Sequence, residues 1–228
     1  MRQKERIMRL YGRAYRSRLG LAVVVMVAFA IMATSAASAS AAQPEFKGSF
    51  PDKYALTTGL GLVYEGQGGA TVTCREGGST TGSITGAKTG SMNTMTFSNC
   101  GTNCSKITFA ELELTPVYTN KATKAVSLLL KPKTGTTFAT TSCGIGKGEI
   151  RGSLLVPITP TNVIFTKEFT LKANGERGVQ IPREYENEKG EKIKVALEGD
   201  LFGSKTFEGC SLTFTSKLVT EKYLELRA

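Results

Sequence analysis

The sequence predicts an all-β fold: an antiparallel β-sandwich or, as the alternative, a barrel-like closed sheet, preceded by an N-terminal signal helix. Three observations carry this. Beyond residue 42 the apolar residues recur with a period near two, Thr fills many of the positions between them, and Gly-rich turn signals interrupt the runs at short intervals. A half-buried strand reads this way because successive side chains point to opposite faces, and the branched Thr side chain suits the wet face of a pleated surface.

The first element is an export signal. Residues 1–20 hold seven basic residues against Glu5, residues 21–33 are an uninterrupted apolar run, and a Ser/Thr/Ala tail leads to Ala39-Ser40-Ala41. This is the layout of a secretory signal peptide, and the small residues before the scissile bond predict cleavage after Ala41. The thirteen-residue run is short for a membrane span, which needs about 20 apolar residues. The alternative extends the helix through the tail to Ala42 and keeps it as an uncleaved anchor. The first cysteine is Cys74, no two arginines are adjacent, and Val25 stands where a pilin-type precursor carries Glu, so those three signal types are excluded. Either reading places residues 42–228, one domain, outside the cytoplasm, secreted or at the cell surface.

Charge and composition exclude more than they suggest. The net charge of +10 sits mostly in residues 1–20; the remainder carries 22 basic and 18 acidic residues, too balanced for the basic stripe that nucleic acid requires. With no His in the chain, no Ser-His-Asp or Cys-His relay and no imidazole metal site can be built.

Along residues 42–228 the strand pattern covers Val72 and Cys74, then Met95 and Phe97. In Ile107–Leu114 the inward set shifts from Ile107 and Phe109 to Leu112 and Leu114, which one extra residue near Ala110 or Glu111, a β-bulge, would accommodate. Val163, Phe165, Phe169 and Leu171 alternate as one set, Ile193, Val195 and Leu197 as another, and Leu212, Phe214 and Leu218 sit opposite Thr213, Thr215 and Lys217. Turns are expected at Gly77-Gly78, 86–90, 101–103, 133–135, 157–160, Asn174-Gly175 and Lys189-Gly190, giving about nine to eleven strands.

In an oxidising compartment the five cysteines imply disulfides, with fifteen possible arrangements of two bonds and one orphan. If Thr71–Cys74, Ser83–Ala87 and Thr94–Ser98 form a meander, Cys74 and Cys100 lie two strands apart, about 10 Å, beyond direct reach. That favours Cys100–Cys104 as a local clip and Cys74–Cys143 as a long-range staple, with Cys210 left over. Cys100-x3-Cys104 lacks the second close pair and the His of a zinc site. No metal or cofactor is expected.

Other motifs reduce to ordinary structure. Gly82–Thr89 falls one residue short of a phosphate-binding loop and precedes a strand instead of a helix, so it reads as a hairpin turn. Glu111 and Glu113, spaced to share a strand face, are the candidate paired carboxylates of a hydrolase. Arg183–Lys194, with eight charged residues of mixed sign in twelve, reads as an exposed loop or hairpin tip. There is no Trp, and only Tyr54, Tyr64, Tyr118, Tyr185 and Tyr223 could offer a sugar-stacking platform.

Phe46–Pro51, Thr71–Cys74, Thr81–Thr89, Thr96–Cys100, Asn120–Val126, Arg151–Ser153 and Pro157–Asn162, in this order, resemble a group of uncharacterised exported β-rich proteins of soil actinobacteria. The likeness spans most of residues 46–228. The group has no assigned activity, so the resemblance implies export, a β-rich fold and cysteines like those at 74, 100, 104 and 143, with Cys210 as an addition.

The expected function is a non-catalytic secreted or cell-envelope β-domain with a structural or binding role, its partner an envelope or extracellular ligand; the alternative is an extracellular carboxylate-dependent hydrolase. Nucleic acid is not expected as a partner, and a membrane only if the N-terminal segment is uncleaved.

Overall fold

Tyr54, Leu56 and Thr58 are buried while Lys53, Ala55 and Thr57 between them are exposed, the alternation the sequence predicts. The same period governs a computed structural model that describes residues 42–59, 61–101, 103–144 and 146–228. The signal helix, its cleavage site and the anchor alternative fall in residues 1–41, outside the described residues.

After a short strand β1 (Glu45–Lys47), the chain runs up and down as long staves, most of them broken at mid-length. The first six are β2 (Asp52–Thr58) with β3 (Leu62–Gly66), β4 (Thr71–Glu76) with β5 (Ser79–Gly86), β6 (Thr89–Met92) with β7 (Met95–Cys100), β8 (Cys104–Phe109) with β9 (Leu112–Asn120), β10 (Ala125–Pro132) with β11 (Thr137–Cys143), and β12 (Gly146–Gly152) with β13 (Leu154–Thr159). The seventh stave is split. It begins as β14 (Thr166–Glu176), leaves the wall through β15 (Val179–Ile181), β16 (Glu184–Glu186) and β17 (Lys192–Lys194), and resumes as β18 (Leu197–Asp200). The eighth is the single long strand β19 (Glu208–Arg227).

All neighbours pair antiparallel and the wall closes. One half is the circuit β2-β5-β6-β9-β10-β13-β14-β19 and back to β2. The other is β3-β4-β7-β8-β11-β12-β18-β19 and back to β3. Of the two architectures the sequence allows, the protein is therefore the barrel-like closed sheet, and closure leaves no free edge in the wall.

The mid-length breaks let each stave bend without exposing its inward face. Phe109 and Leu112 are both buried across the break at Ala110 and Glu111, the parity change read from the sequence. Two expected turns, Gly77-Gly78 and 133–135, are such breaks, and Asn174-Gly175 lies within β14, whose hairpin turns at Arg177-Gly178 instead. Val163 and Phe165 are not in a strand either: they sit in the loop before β14, exposed, with Phe165 at φ 53°.

The core is one cluster running through both halves. At its middle Phe109 contacts Phe97, Phe138 and Phe214, with ring centroids 5.1, 5.2 and 5.9 Å away. A void of only ≈ 10 Å³ remains between Leu56, Met92, Leu114 and Leu218, no larger than about one water. Phe46 of β1 and Leu224 and Leu226 of β19 are buried at one end of the barrel, where the two strands pair and close it.

Where the seventh stave is split, a side chain replaces the missing ladder. Gln180 is buried; its Oε1 accepts from the Leu212 amide at 2.9 Å and its Nε2 donates to the Asn174 carbonyl at 2.6 Å. Backbone groups facing a gap in a sheet need such partners.

Candidate binding cleft beneath the outer hairpin

The wall places the predicted residues in three settings. Cys74 is the register partner of Cys100 on β4 and β7, and Cys104 of Cys143 on β8 and β11; these are the two disulfides. The expected pairs Cys100–Cys104 and Cys74–Cys143 are thus corrected. The premise of a consecutive meander fails because β5 and β6 belong to the other half of the barrel, so β4 and β7 are direct neighbours. Cys210 is free and buried beside Tyr64, as the leftover cysteine. Burial pushes its thiol up to about 12, and Glu208 and Glu198 push in the same direction while a hydrogen bond with Tyr64 opposes them.

Glu111 and Glu113 lie exposed on the convex outer wall. Glu111 is 3.1 Å from the Lys133 ammonium, and Glu113 stands opposite Ser91 and Lys131. The pair does not converge on a common cavity. Tyr54, Tyr64 and Tyr118 are buried, so no row of tyrosines forms a platform. The phosphate-loop-like segment is the β5–β6 hairpin, and its Ala87 carbonyl accepts from the Phe46 amide.

A cleft does form where the charge-dense segment folds back. Arg183–Lys194 is the β16–β17 hairpin, turned by Asn187, whose Oδ1 accepts from the amides of Lys189 and Glu191, with Gly190 at φ +80°. Its Tyr185 and the following Val195 pack on Val117, Leu129 and Leu155, apolar residues that face outward from the wall. Between this hairpin and the wall lies a cleft of ≈ 220 Å³ lined by Gln43, Lys88, Val117, Leu129, Lys131 and Tyr185, with Glu188 at its rim.

Gln43 is the notable member. It is 8% exposed; its Nε2 donates to the Glu186 carbonyl at 3.1 Å, and its Oε1 is buried without a hydrogen-bond partner among the described residues. An unpaired buried acceptor is destabilising by about 1–3 kcal/mol. Lys88 is engaged by Glu188 at 2.7 Å, which lowers the Glu188 carboxyl below its ordinary range. Lys131 has no ion-pair partner among the described residues. Two broader depressions on the wall, ≈ 620 Å³ with a mixed lining and ≈ 610 Å³ lined mostly by Thr and Ser, hold no such unpaired buried group among the described residues.

The chain matches no protein-family model, no curated protein and no solved structure. Its chemistry is read from its own residues. Neither Gln43 nor the cleft was foreseeable: Gln43 carries no motif, and the floor residues Val117 and Leu129 lie on a strand face that periodicity assigns to solvent.

Proposed function

We propose that this chain works outside the cytoplasm as a non-catalytic β-barrel that binds a small, negatively charged ligand with hydrogen-bond donors in the cleft beneath its outer hairpin. The observation that carries this is Gln43, a lining residue of the cleft whose buried Oε1 has no hydrogen-bond partner among the described residues, beside an apolar floor and the Lys131 ammonium. Hydroxyl or amine groups would satisfy the acceptor, a carboxylate would pair with Lys131, and a ring would rest on Tyr185. The filled barrel favours an external site over a lumenal one. The signal-like residues 1–41 and two disulfides support the extracytoplasmic location.

The test is calorimetric titration of the purified chain with D-glucuronate, an acidic ring carrying hydroxyls, and with D-glucose as its neutral counterpart. Glucuronate is expected to bind at least about tenfold more tightly than glucose, with the difference lost in Lys131→Gln. Binding unchanged by both Lys131→Gln and Gln43→Leu, or no binding to either compound, would reject the cleft. A turnover on glycan, peptide or ester substrates that a single point change abolishes would reject the non-catalytic reading.

A further inference from the structure

The end of the barrel closed by β1 and the tail of β19 carries an apolar tip. In the loop Pro160–Phe165, three consecutive residues, Val163, Ile164 and Phe165, are 45%, 73% and 58% exposed, and Tyr223 is 59% exposed. The antiparallel register pair Thr166–Leu224 carries Phe165 towards Glu225 and sets Lys167 beside Tyr223, so Tyr223 lies one residue past the loop on the same end of the barrel. Isolated apolar side chains on a surface are ordinary, but a contiguous exposed group marks a contact surface.

This loop is held out rather than left loose. The Asn162 amide donates to the Leu226 carbonyl at 2.7 Å, and Asn162 Oδ1 accepts from the Ala228 amide at 2.8 Å. Asn162 and Phe165 both take left-handed backbone, at φ 57° and 53°. For a bulky residue such as Phe that conformation is unfavourable and persists only where its surroundings impose it.

Four lysines lie at the same end of the barrel as the tip. Lys121 and Lys124 occupy the turn between β9 and β10, and β10 pairs with β13, the strand that leads into the loop. Lys167 places its ammonium 4.8 Å from the centre of the Tyr223 ring, and Lys222 donates to the Pro51 carbonyl. None of these four ammonium groups is in an ion pair among the described residues. The carboxylates at this end are otherwise engaged or single, Glu186 accepting from the Lys121 amide, Asp52 from the Lys222 amide and Glu225 pairing with Arg227, with Glu221 beside Lys222.

We infer that this end of the barrel docks on an anionic lipid surface, with Ile164 and Phe165 entering the boundary between headgroups and acyl chains and the lysines meeting the headgroup charge. An apolar tip at the same end as these lysines has the two attractions that interfacial binding combines, burial of apolar area and electrostatic attraction to anionic lipid. The inference uses the extracytoplasmic location proposed above and is independent of the cleft.

Vesicle flotation tests it, using residues 42–228, which hold the whole closed wall, its core and both disulfides, so that residues 21–33 cannot mediate binding. The unmodified protein is expected to float with vesicles of phosphatidylglycerol and phosphatidylcholine in equal parts and to be released by about 0.5 M salt. Ile164→Glu, at an exposed site that tolerates charge in the fold, should weaken binding by about tenfold or more, and Lys121→Gln with Lys124→Gln by several-fold. Lys131→Gln should float as the unmodified protein does, which separates failure of this inference from failure of the cleft. No flotation, or flotation unchanged by Ile164→Glu, overturns the proposal. So does a dimer in sedimentation equilibrium that Ile164→Glu dissociates while vesicles are ignored, which would make the tip a contact between copies of this chain.

Discussion

Cys74 and Cys100 face each other across β4 and β7 because the chain between them leaves for the opposite half of the barrel and returns. The second bond, Cys104–Cys143, joins β8 and β11 in the same manner, so both staples lie in one half of the wall. The sequence separations are 26 and 39, and chain entropy gives each bond about 3.5–4 kcal/mol. Cys74→Ala with Cys100→Ala and Cys104→Ala with Cys143→Ala should therefore destabilise by similar amounts in urea titration. A clip between Cys100 and Cys104 would instead have made one pair much weaker. Intact-mass spectrometry should show a gain of four mass units on reduction, from the two bonds.

Cys210 predicts an alkaline sensitivity. Its thiol, raised by burial to about 12 in the fold, ionises near 9 when the chain unfolds. Stability from this group is complete below that lower value and declines as pH rises from about 9 towards 12. Tyr54 and Tyr64, also raised by burial, add to the decline at higher pH. Urea midpoints measured between pH 8 and 10, a range chosen around the ordinary thiol pKa of about 8.5, should fall less steeply in Cys210→Ala. The thiol should resist iodoacetamide until the protein is unfolded.

Much of the wall was legible from the alternation of residues such as Tyr54, Leu56, Met95 and Phe97, since burial on one face imposes period two. The parity shift between Phe109 and Leu112 was legible for the same reason. Pairing across the wall was not, because Gly77-Gly78 looks the same in sequence whether it reverses the chain or bends a stave that continues from β4 into β5. That ambiguity produced the wrong cysteine partners. The cleft was hidden for a different reason: Gln180, Gln43 and Tyr185 act through the segment between β14 and β18, whose placement depends on long-range packing that local pattern does not encode.

Gly77 supplies a direct check on the bent stave. A Cβ there would overlap the carbonyl oxygen of Thr58, so the first and second staves approach at a point where only hydrogen fits. Gly77→Ala is expected to destabilise by about 1–3 kcal/mol through forced displacement of the β2 backbone. An ordinary surface turn would accept Ala at little penalty, so a change within about 0.5 kcal/mol would contradict this packing.

Asp200 orders the loop that joins β18 to β19. Its Oδ1 accepts from the amides of Phe202 and Ser204 and from the Ser204 hydroxyl, each at 3.1 Å, and its Oδ2 accepts from the Lys205 amide at 2.6 Å. Burial alone would raise this carboxyl, but the hydrogen bonds from Lys205, Phe202 and Ser204 outweigh it and hold the group below its ordinary range. A lowered carboxyl stabilises the fold above the unfolded pKa, about 3.9, and the contribution is lost as pH falls through the folded value. Asp200→Asn removes the charge and turns an acceptor towards the Lys205 amide into a donor, so it should destabilise by about 2–4 kcal/mol at neutral pH. Its stability should also vary less than that of the unmodified protein between pH 5 and 3, a span bracketing the ordinary Asp pKa of about 3.9, in urea titrations at each pH. Equal acid sensitivity in the two proteins would show that the loop does not depend on the carboxylate.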